Sequence, residues 1–254
     1  MTINSRASVL LAAGQGSRMW PLTEKTPKSM LEVGGVPLLK RIINDLVKVS
    51  DGEIVVVTGY QSQFVNEMIA SSFSNRVRTV HNQLFHEDVN ILSVDIGVDG
   101  LLNPENGYTI IETDLLIEQV GWQKMFDSEH NNDSFWVTHG RYSKDLTGGI
   151  IHEHEVNQLI DKIAYVPDYQ TEYNGWHKML GILSVSPDNV KNDRLFRKSE
   201  IQRSIKQYYM STWINNLDKL PCRVLDLSTC YASSFNTPEA FQASSHEFLK
   251  LKVN

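Results

Sequence analysis

Gly14, Gly16, Arg18 and Lys28 lie close together, directly behind the apolar run Val9-Leu10-Leu11. A buried strand that opens into a small, Gly-rich turn exposes backbone N–H groups with no side chains in the way. Such a turn can wrap polyphosphate oxygens. Arg18 and Lys28 add fixed positive charge at the same place. The segment Leu11, Ala12, Ala13, Gly14, Gln15, Gly16, Ser17 and Arg18 is therefore suited to hold a nucleoside triphosphate, with Lys28 beside it stabilising charge that moves through the phosphates.

The loop is not one of three better-known phosphate binders. A P-loop needs G-x-x-x-x-G-K-[ST], and here the second Gly comes too soon. The dinucleotide fingerprint needs a third Gly where Met19 stands. The HRD and DFG signatures of kinases do not occur. A lone G-x-G would usually be an ordinary turn. Here it is followed in one short stretch by Arg18, Pro21-Leu22-Thr23, Pro27-Lys28 and Gly34-Gly35-Val36-Pro37-Leu38. The run from Leu11 to Leu38 resembles the signature of the sugar-1-phosphate nucleotidyltransferase family. The resemblance is dense over the N-terminal third and looser beyond it. It implies an enzyme that forms an NDP-linked product and releases pyrophosphate, with the loop holding the triphosphate and the Arg and Lys neutralising it.

Elements must bring these residues together. Leu38 to Lys48 carries apolar residues at helical spacing. Glu53 to Thr58 is a β-branched run ending at Gly59-Tyr60. A helix is expected over Gln61 to Ser72, a strand over Val77 to His81, a helix from Asn90, and an apolar strand over Tyr108 to Glu112 that ends in Thr113-Asp114. Alternation of strand and helix argues for a doubly wound α/β sheet with mostly parallel strands. The resemblance implies the Rossmann-like mixed sheet of the nucleotidyltransferase type. In such sheets ligands sit at the carboxyl ends of strands, where the Gly loop, Gly59 and Asp114 can converge. The second half is less regular. Strands are expected over Ser134 to His139, Ile150 to His152, Val156 to Ile163, Met179 to Ser186 and Arg223 to Leu227. A helical region is expected over Asn192 to Leu217, and a closing helix from Pro238 with Thr237 as N-cap. With no repeat, low-complexity tract or Pro/Gly linker, residues 1–254 read as a single domain.

Asp114 is the candidate metal ligand. A carboxylate at the end of a buried strand either caps the next helix or binds a cation, and Mg²⁺ prefers one or two carboxylates plus phosphate oxygens and waters. The resemblance favours the metal role. Glu112 shares a strand face with Asp114, as a supporting group or a solvated charge. Many members of the family carry a second metal-binding Asp late in the chain, in D-I-x-T-P-E. The matching stretch here is Ser234-Phe235-Asn236-Thr237-Pro238-Glu239, with Ser234 in the acidic position. Asp226 and Glu239 are the nearest substitutes in sequence.

The stretch His81 to Ser93, with Thr58-Gly59-Tyr60, is similar to the branch that uses CTP and a small phosphorylated amino alcohol or a phosphonate. Phosphocholine cytidylyltransferases of bacterial surface-glycan pathways are the nearest type. The resemblance extends the nucleotide site to Gly59, Tyr60, Asn82, Ser93 and Thr113. Asn82 and Ser93 are suited to read a base edge, although Asn82 and Asn90 fit turn and cap roles equally well. Lys162, behind Asp161, is the Lys that the resemblance assigns to the acceptor phosphate, with a surface Lys as the plain alternative. Tyr165, Tyr169, Tyr173 and Trp176 read either as an ammonium cage or as core packing. His152 and His154 lack a third zinc ligand.

The chain has 254 residues, 41% of them apolar, and a net charge of −6. The negative balance argues against nucleic acid as a partner. No apolar stretch is long enough to span a membrane. Cys222 and Cys230 form no CxxC motif and read as free thiols in a reducing compartment. The expectation is a soluble cytoplasmic protein. Oligomeric state, a homo-oligomer included, is left open. Two other functions fit the same loop: a sugar-1-phosphate uridylyl-, thymidylyl- or guanylyltransferase, and a non-catalytic nucleotide-binding module.

Overall fold

The computed structural model describes residues 6–73, 76–127 and 132–251. In chain order the first half holds β1 (Ala7–Ala12), β2 (Glu32–Val33), β3 (Val36–Pro37), α1 (Leu38–Val49), β4 (Ile54–Thr58), α2 (Ser62–Ser72), β5 (Val77–His81), α3 (Ile91–Asp99), β6 (Tyr108–Glu112), β7 (Leu115–Ile117) and α4 (Gln119–Met125). The second half holds β8 (Phe135–Arg141), β9 (Gly148–Glu153), β10 (Ile160–Val166), β11 (His177–Val185), α5 (Pro187–Arg203), α6 (Met210–Ile214), β12 (Arg223–Asp226), β13 (Ala232–Ser234) and α7 (Pro238–Leu251).

The first half builds the parallel run β6-β1-β4-β5, in which β1 pairs with β4 on one side and β6 on the other. Period-two alternation sorts the strand side chains between two cores. Leu10, Val56 and Ile111 face one layer, with Leu39, Ile42, Leu46 and Val65 of α1 and α2. Val9, Val55, Val57 and Ile110 face the other, with Ile91, Val94 and Val98 of α3. These side chains are almost fully buried, and each contributes about 1.5–3 kcal/mol relative to exposure.

The second half makes a fork in the sheet. β8 runs antiparallel along β11, which also pairs antiparallel with β6 through Ile182 to Val185 and with β9 through His177 and Lys178. Since Leu183 pairs with both Ile110 and Trp136, and His177 with both Ile151 and Arg141, β6 and β9 share the β11 edge opposite β8. The end of β6 and the start of β9 diverge there. β13 pairs with β7 and carries the segment after Ser233 alongside Asp114.

Two sequence expectations shift. The helical region over Asn192 to Leu217 is broken into α5 and α6. Ser204 is extended, and the Gln207 side chain donates to the carbonyls of Glu200 and Ser204, so side-chain bonds replace the helical ladder. The strand placed over Val156 to Ile163 begins only at Ile160, because a turn closed by Gln158 N–H on the His154 carbonyl occupies the residues before it. Among the described residues no helix is long and apolar enough to cross a membrane.

Candidate functional site

A cavity of about 650 Å³ opens at the carboxyl ends of β1 and β6 and extends into the fork. Its rim contains the whole run from Leu11 to Arg18, together with Lys28, Ser93, Thr113 and Asp114. β1 ends at Ala12, and Gly16 takes a left-handed conformation (φ 66°) that turns the chain into the 3-10 turn Ser17–Met19. The Thr23 hydroxyl donates to the Gly16 carbonyl at 2.7 Å, and the Thr113 hydroxyl to the Leu11 carbonyl at 2.9 Å. The loop is thus anchored at both ends while its tip stays open.

Three distant segments meet at the loop. Lys28 Nζ lies 2.7 Å from Asp114 Oδ2 and donates to Asn236 Oδ1 at 3.1 Å. Arg18 Nη2 donates to the same Asn236 oxygen at 2.8 Å. The Lys28 ammonium also sits 5.6 Å from the Phe235 ring centre. The second Asp114 oxygen, Oδ1, is buried without a hydrogen-bond partner. A buried carboxylate oxygen left unpaired is costly unless a further partner binds it, and a divalent cation held also by phosphate oxygens is such a partner.

Glu112 also faces the cavity and is half-buried at the end of β6. Burial, and then the charge of Asp114, push its carboxyl up to about 8, against the opposing pull of Lys28, Lys178 and Arg18. It lies over Gly181, where a Cβ would come within 2.6 Å of Oε2, and Gly181 itself has φ 75°. Glycine is required there on both counts. Lys178 on β11 lines the fork opposite, its ammonium donating to the Met179 carbonyl at 2.7 Å. Burial lowers its pKa, and Glu112 and Asp114 partly restore it.

Four of the expected residues do not line the cavity. Lys162 is exposed on β10. Tyr165 on that strand lines the cavity and Ile163 joins a sheet core, whereas Ala164 and Val166 pack with Tyr142 and Ile150 in a separate cluster. Alternation places Lys162 on the Ala164 face, away from the cavity. Asn82 is fully buried. It donates to Asp88 and Ser93 and accepts from Leu84 N–H, so it braces the loop before α3 and offers no base-reading edge. Gly59 and Tyr60 buttress the Gly loop from behind. Tyr60 N–H donates to the Ala13 carbonyl at 3.0 Å and its hydroxyl to the Glu24 carbonyl at 2.6 Å.

The late acidic position is Ser234, which lines the cavity. Neither proposed substitute reaches it. Asp226 accepts from Thr138 and Ser228, and Glu239 lies on the first turn of α7. Of the aromatic candidates only Tyr165 lines the cavity, while Tyr169, Tyr173 and Trp176 join the Tyr142 cluster. His152 pairs with Asp161, and no group of three potential metal-binding side chains occurs among the described residues. Sequence reasoning missed Asn236 and Lys178. The first was visible as an amide two residues past Ser234, and the second as a lone charge opening an apolar strand.

The nucleotidyl transferase family model matches residues 7–151, which include the Gly loop, Lys28 and Asp114. The 2-aminoethylphosphonate cytidylyltransferase of Lancefieldella rimae is 38% identical over 114 residues, 43% of this chain and 43% of that protein. The choline-phosphate cytidylyltransferase of Haemophilus influenzae is 30% identical over 113 residues, 44% of this chain and 45% of that one. The chain thus aligns with less than half the length of these relatives. The fold is shared more widely: the CTP:phosphocholine cytidylyltransferase from Streptococcus pneumoniae superposes with a TM-score of 0.79 at 20% identity, covering 95% of this chain and 99% of that one. With a family model that spans more than half of its residues, the chain belongs to the nucleotidyl transferase family.

Proposed function

We propose that the protein transfers a cytidylyl group from CTP to a small phosphorylated or phosphonate acceptor, with release of pyrophosphate. The observation that carries this reading is the convergence of Arg18, Lys28, Asp114 and Asn236 on the open tip of the Gly loop, inside a cavity large enough for two small substrates. The choice of CTP and of this acceptor class rests on the two cytidylyltransferases to which 43% and 44% of the chain is similar.

The triphosphate lies over the backbone N–H groups of Gly14 to Arg18. An oxygen of the acceptor phosphate or phosphonate attacks the α-phosphorus in line. One P–O bond forms as the bond from the α-phosphorus to the bridging oxygen breaks, and pyrophosphate leaves with that electron pair. The nucleophile is already an anion, so no general base is needed. Arg18 and Lys28 offset the charge that builds on the α-phosphate and the leaving group. Mg²⁺ fits Asp114, whose Oδ1 lacks a protein partner, and when bound it would supply further positive charge to the phosphates. With Ser234 in the late position, Asp114 is the ligand that this reading assigns to the ion. The reaction is proposed to run in the cytoplasm, in activation of a surface-glycan or small-molecule building block.

A pyrophosphate-release screen tests the proposal, pairing CTP, UTP, dTTP and GTP with 2-aminoethylphosphonate, phosphocholine and hexose 1-phosphates. Release with CTP and a phosphonate or phosphocholine is the expected result. Release only with a hexose 1-phosphate overturns the acceptor assignment. Binding of nucleotide with no release from any pair transfers the chain to a second reading, a non-catalytic nucleotide-binding module, which Ser234 in the late position favours.

A further inference from the structure

The fork between β6 and β9 contains a cation that forms no direct ion pair among the described residues, while the charges of Glu112 and Asp114 act on it through space. Lys178 projects from the β11 edge that the two strands share, and its ammonium lies 3.9 Å from where a Cβ on Gly148 would stand. One of its three N–H groups is used, on the Met179 carbonyl, and among the described residues it forms no ion pair. This differs from Lys28, which Asp114 already holds at 2.7 Å. An ammonium that faces a cavity with N–H groups to spare, and with no carboxylate within ion-pairing distance, is arranged to receive an anion.

Resting on the reading above, we infer that Lys178 binds the phosphate or phosphonate of the acceptor, which makes the fork of the sheet the acceptor subsite. The charge distribution supports this. Arg18 and Lys28 gather at the loop with Asn236, Glu112 and Asp114 follow at the end of β6, and Lys178 stands in the fork beyond them. Two phosphate-bearing molecules must approach within bonding distance, and the loop cations are placed to serve only the first. A third cation across the two carboxylates lowers the repulsion felt by the second anion. Gly148, which opens β9, adds no side chain of its own at a point 3.9 Å from both the ammonium and the Tyr165 ring. Lys162 is on the other face of β10, and Lys178 takes the role that the family resemblance implied for it.

The same chemistry could come from the β- or γ-phosphate of the nucleotide, and the test separates the two sources. Lys178→Met keeps the aliphatic stem and removes the charge. Steady-state pyrophosphate release gives KM for CTP and for the acceptor. Titration calorimetry of 2-aminoethylphosphonate and phosphocholine into the Mg²⁺- and CTP-analogue-loaded protein gives affinity without turnover. The expected result is an acceptor KM and Kd raised about tenfold to a hundredfold with the CTP KM within about twofold of the parent protein. Lys178→Arg should restore part of the acceptor affinity. An unchanged acceptor Kd, a CTP KM that rises in step with it, or no acceptor binding to the parent protein overturns the inference. Acceptor binding that depends on Lys178 without pyrophosphate release supports the subsite while refuting the transferase reading.

Discussion

Replacing Gly59 and Gly14 separately distinguishes a glycine required by the protein from one required by the ligand. A Cβ at Gly59 would stand 2.6 Å from the Ala13 carbonyl oxygen and 2.6 Å from Phe85 Cβ. Both are about 0.8 Å short of an ordinary contact. The Ala13 carbonyl cannot yield freely, because Tyr60 N–H holds it at 3.0 Å and β1 lies just before it. Relief therefore displaces the nucleotide loop. Overpacking of this kind costs about 1–3 kcal/mol, which lowers Tm by about 2–12 °C in a chain of this size. A displacement near 1 Å at the reacting groups costs about 100-fold in rate. At Gly14 nothing lies within 4 Å of the added Cβ. Gly14→Ala should leave Tm within about 2 °C of the parent protein, yet raise the KM for the nucleotide at least about tenfold by pushing phosphate off the backbone N–H groups. Scanning calorimetry and pyrophosphate release on the two variants decide the matter. Native turnover in Gly59→Ala, or an unchanged nucleotide KM in Gly14→Ala, refutes the reasoning.

Three further outcomes are expected. Lys28→Met and Asp114→Asn should each lower turnover by about 100-fold or more while circular dichroism stays native, since each removes a group placed to act on the phosphates; turnover near the parent value in either removes that residue from the mechanism. Asn236→Ala frees Arg18 and Lys28 from their shared acceptor, so turnover should fall by about tenfold with a smaller change in Tm than in Gly59→Ala; kinetics identical to the parent would show that the cations need no tether. His177 is buried, and burial together with the charge of Arg141 lowers its pKa below the usual 6.5. The unfolded chain then binds the proton first, so stability is fully present above about pH 6.5 and declines as pH falls through that range. Denaturant unfolding from pH 8 to 5 should show a shallower acid decline for His177→Gln, and parallel pH profiles would exclude this source.

Residues close in sequence carried their own message. The Gly loop, Arg18 and Lys28 fall in one stretch beside an apolar strand, so spacing and chemistry marked out a cavity-lining segment before any contact was known. The strand runs ending at Thr58 and Glu112 likewise fixed the parallel half of the sheet, because β-branched runs between helical patterns admit few topologies. Tertiary structure decided the rest. Asn236 is 218 residues from Arg18, and only the pairing of β13 with β7 brings it to the loop. Asn82 had the right residue type for a base contact, but hydrogen bonds to Leu84, Asp88 and Ser93 turn it inward. That Lys178 lines the cavity and Lys162 does not turns on which face of β10 and which part of β11 meets it. A one-residue change in register reverses a strand's faces, and register is set by partners that are remote along the chain.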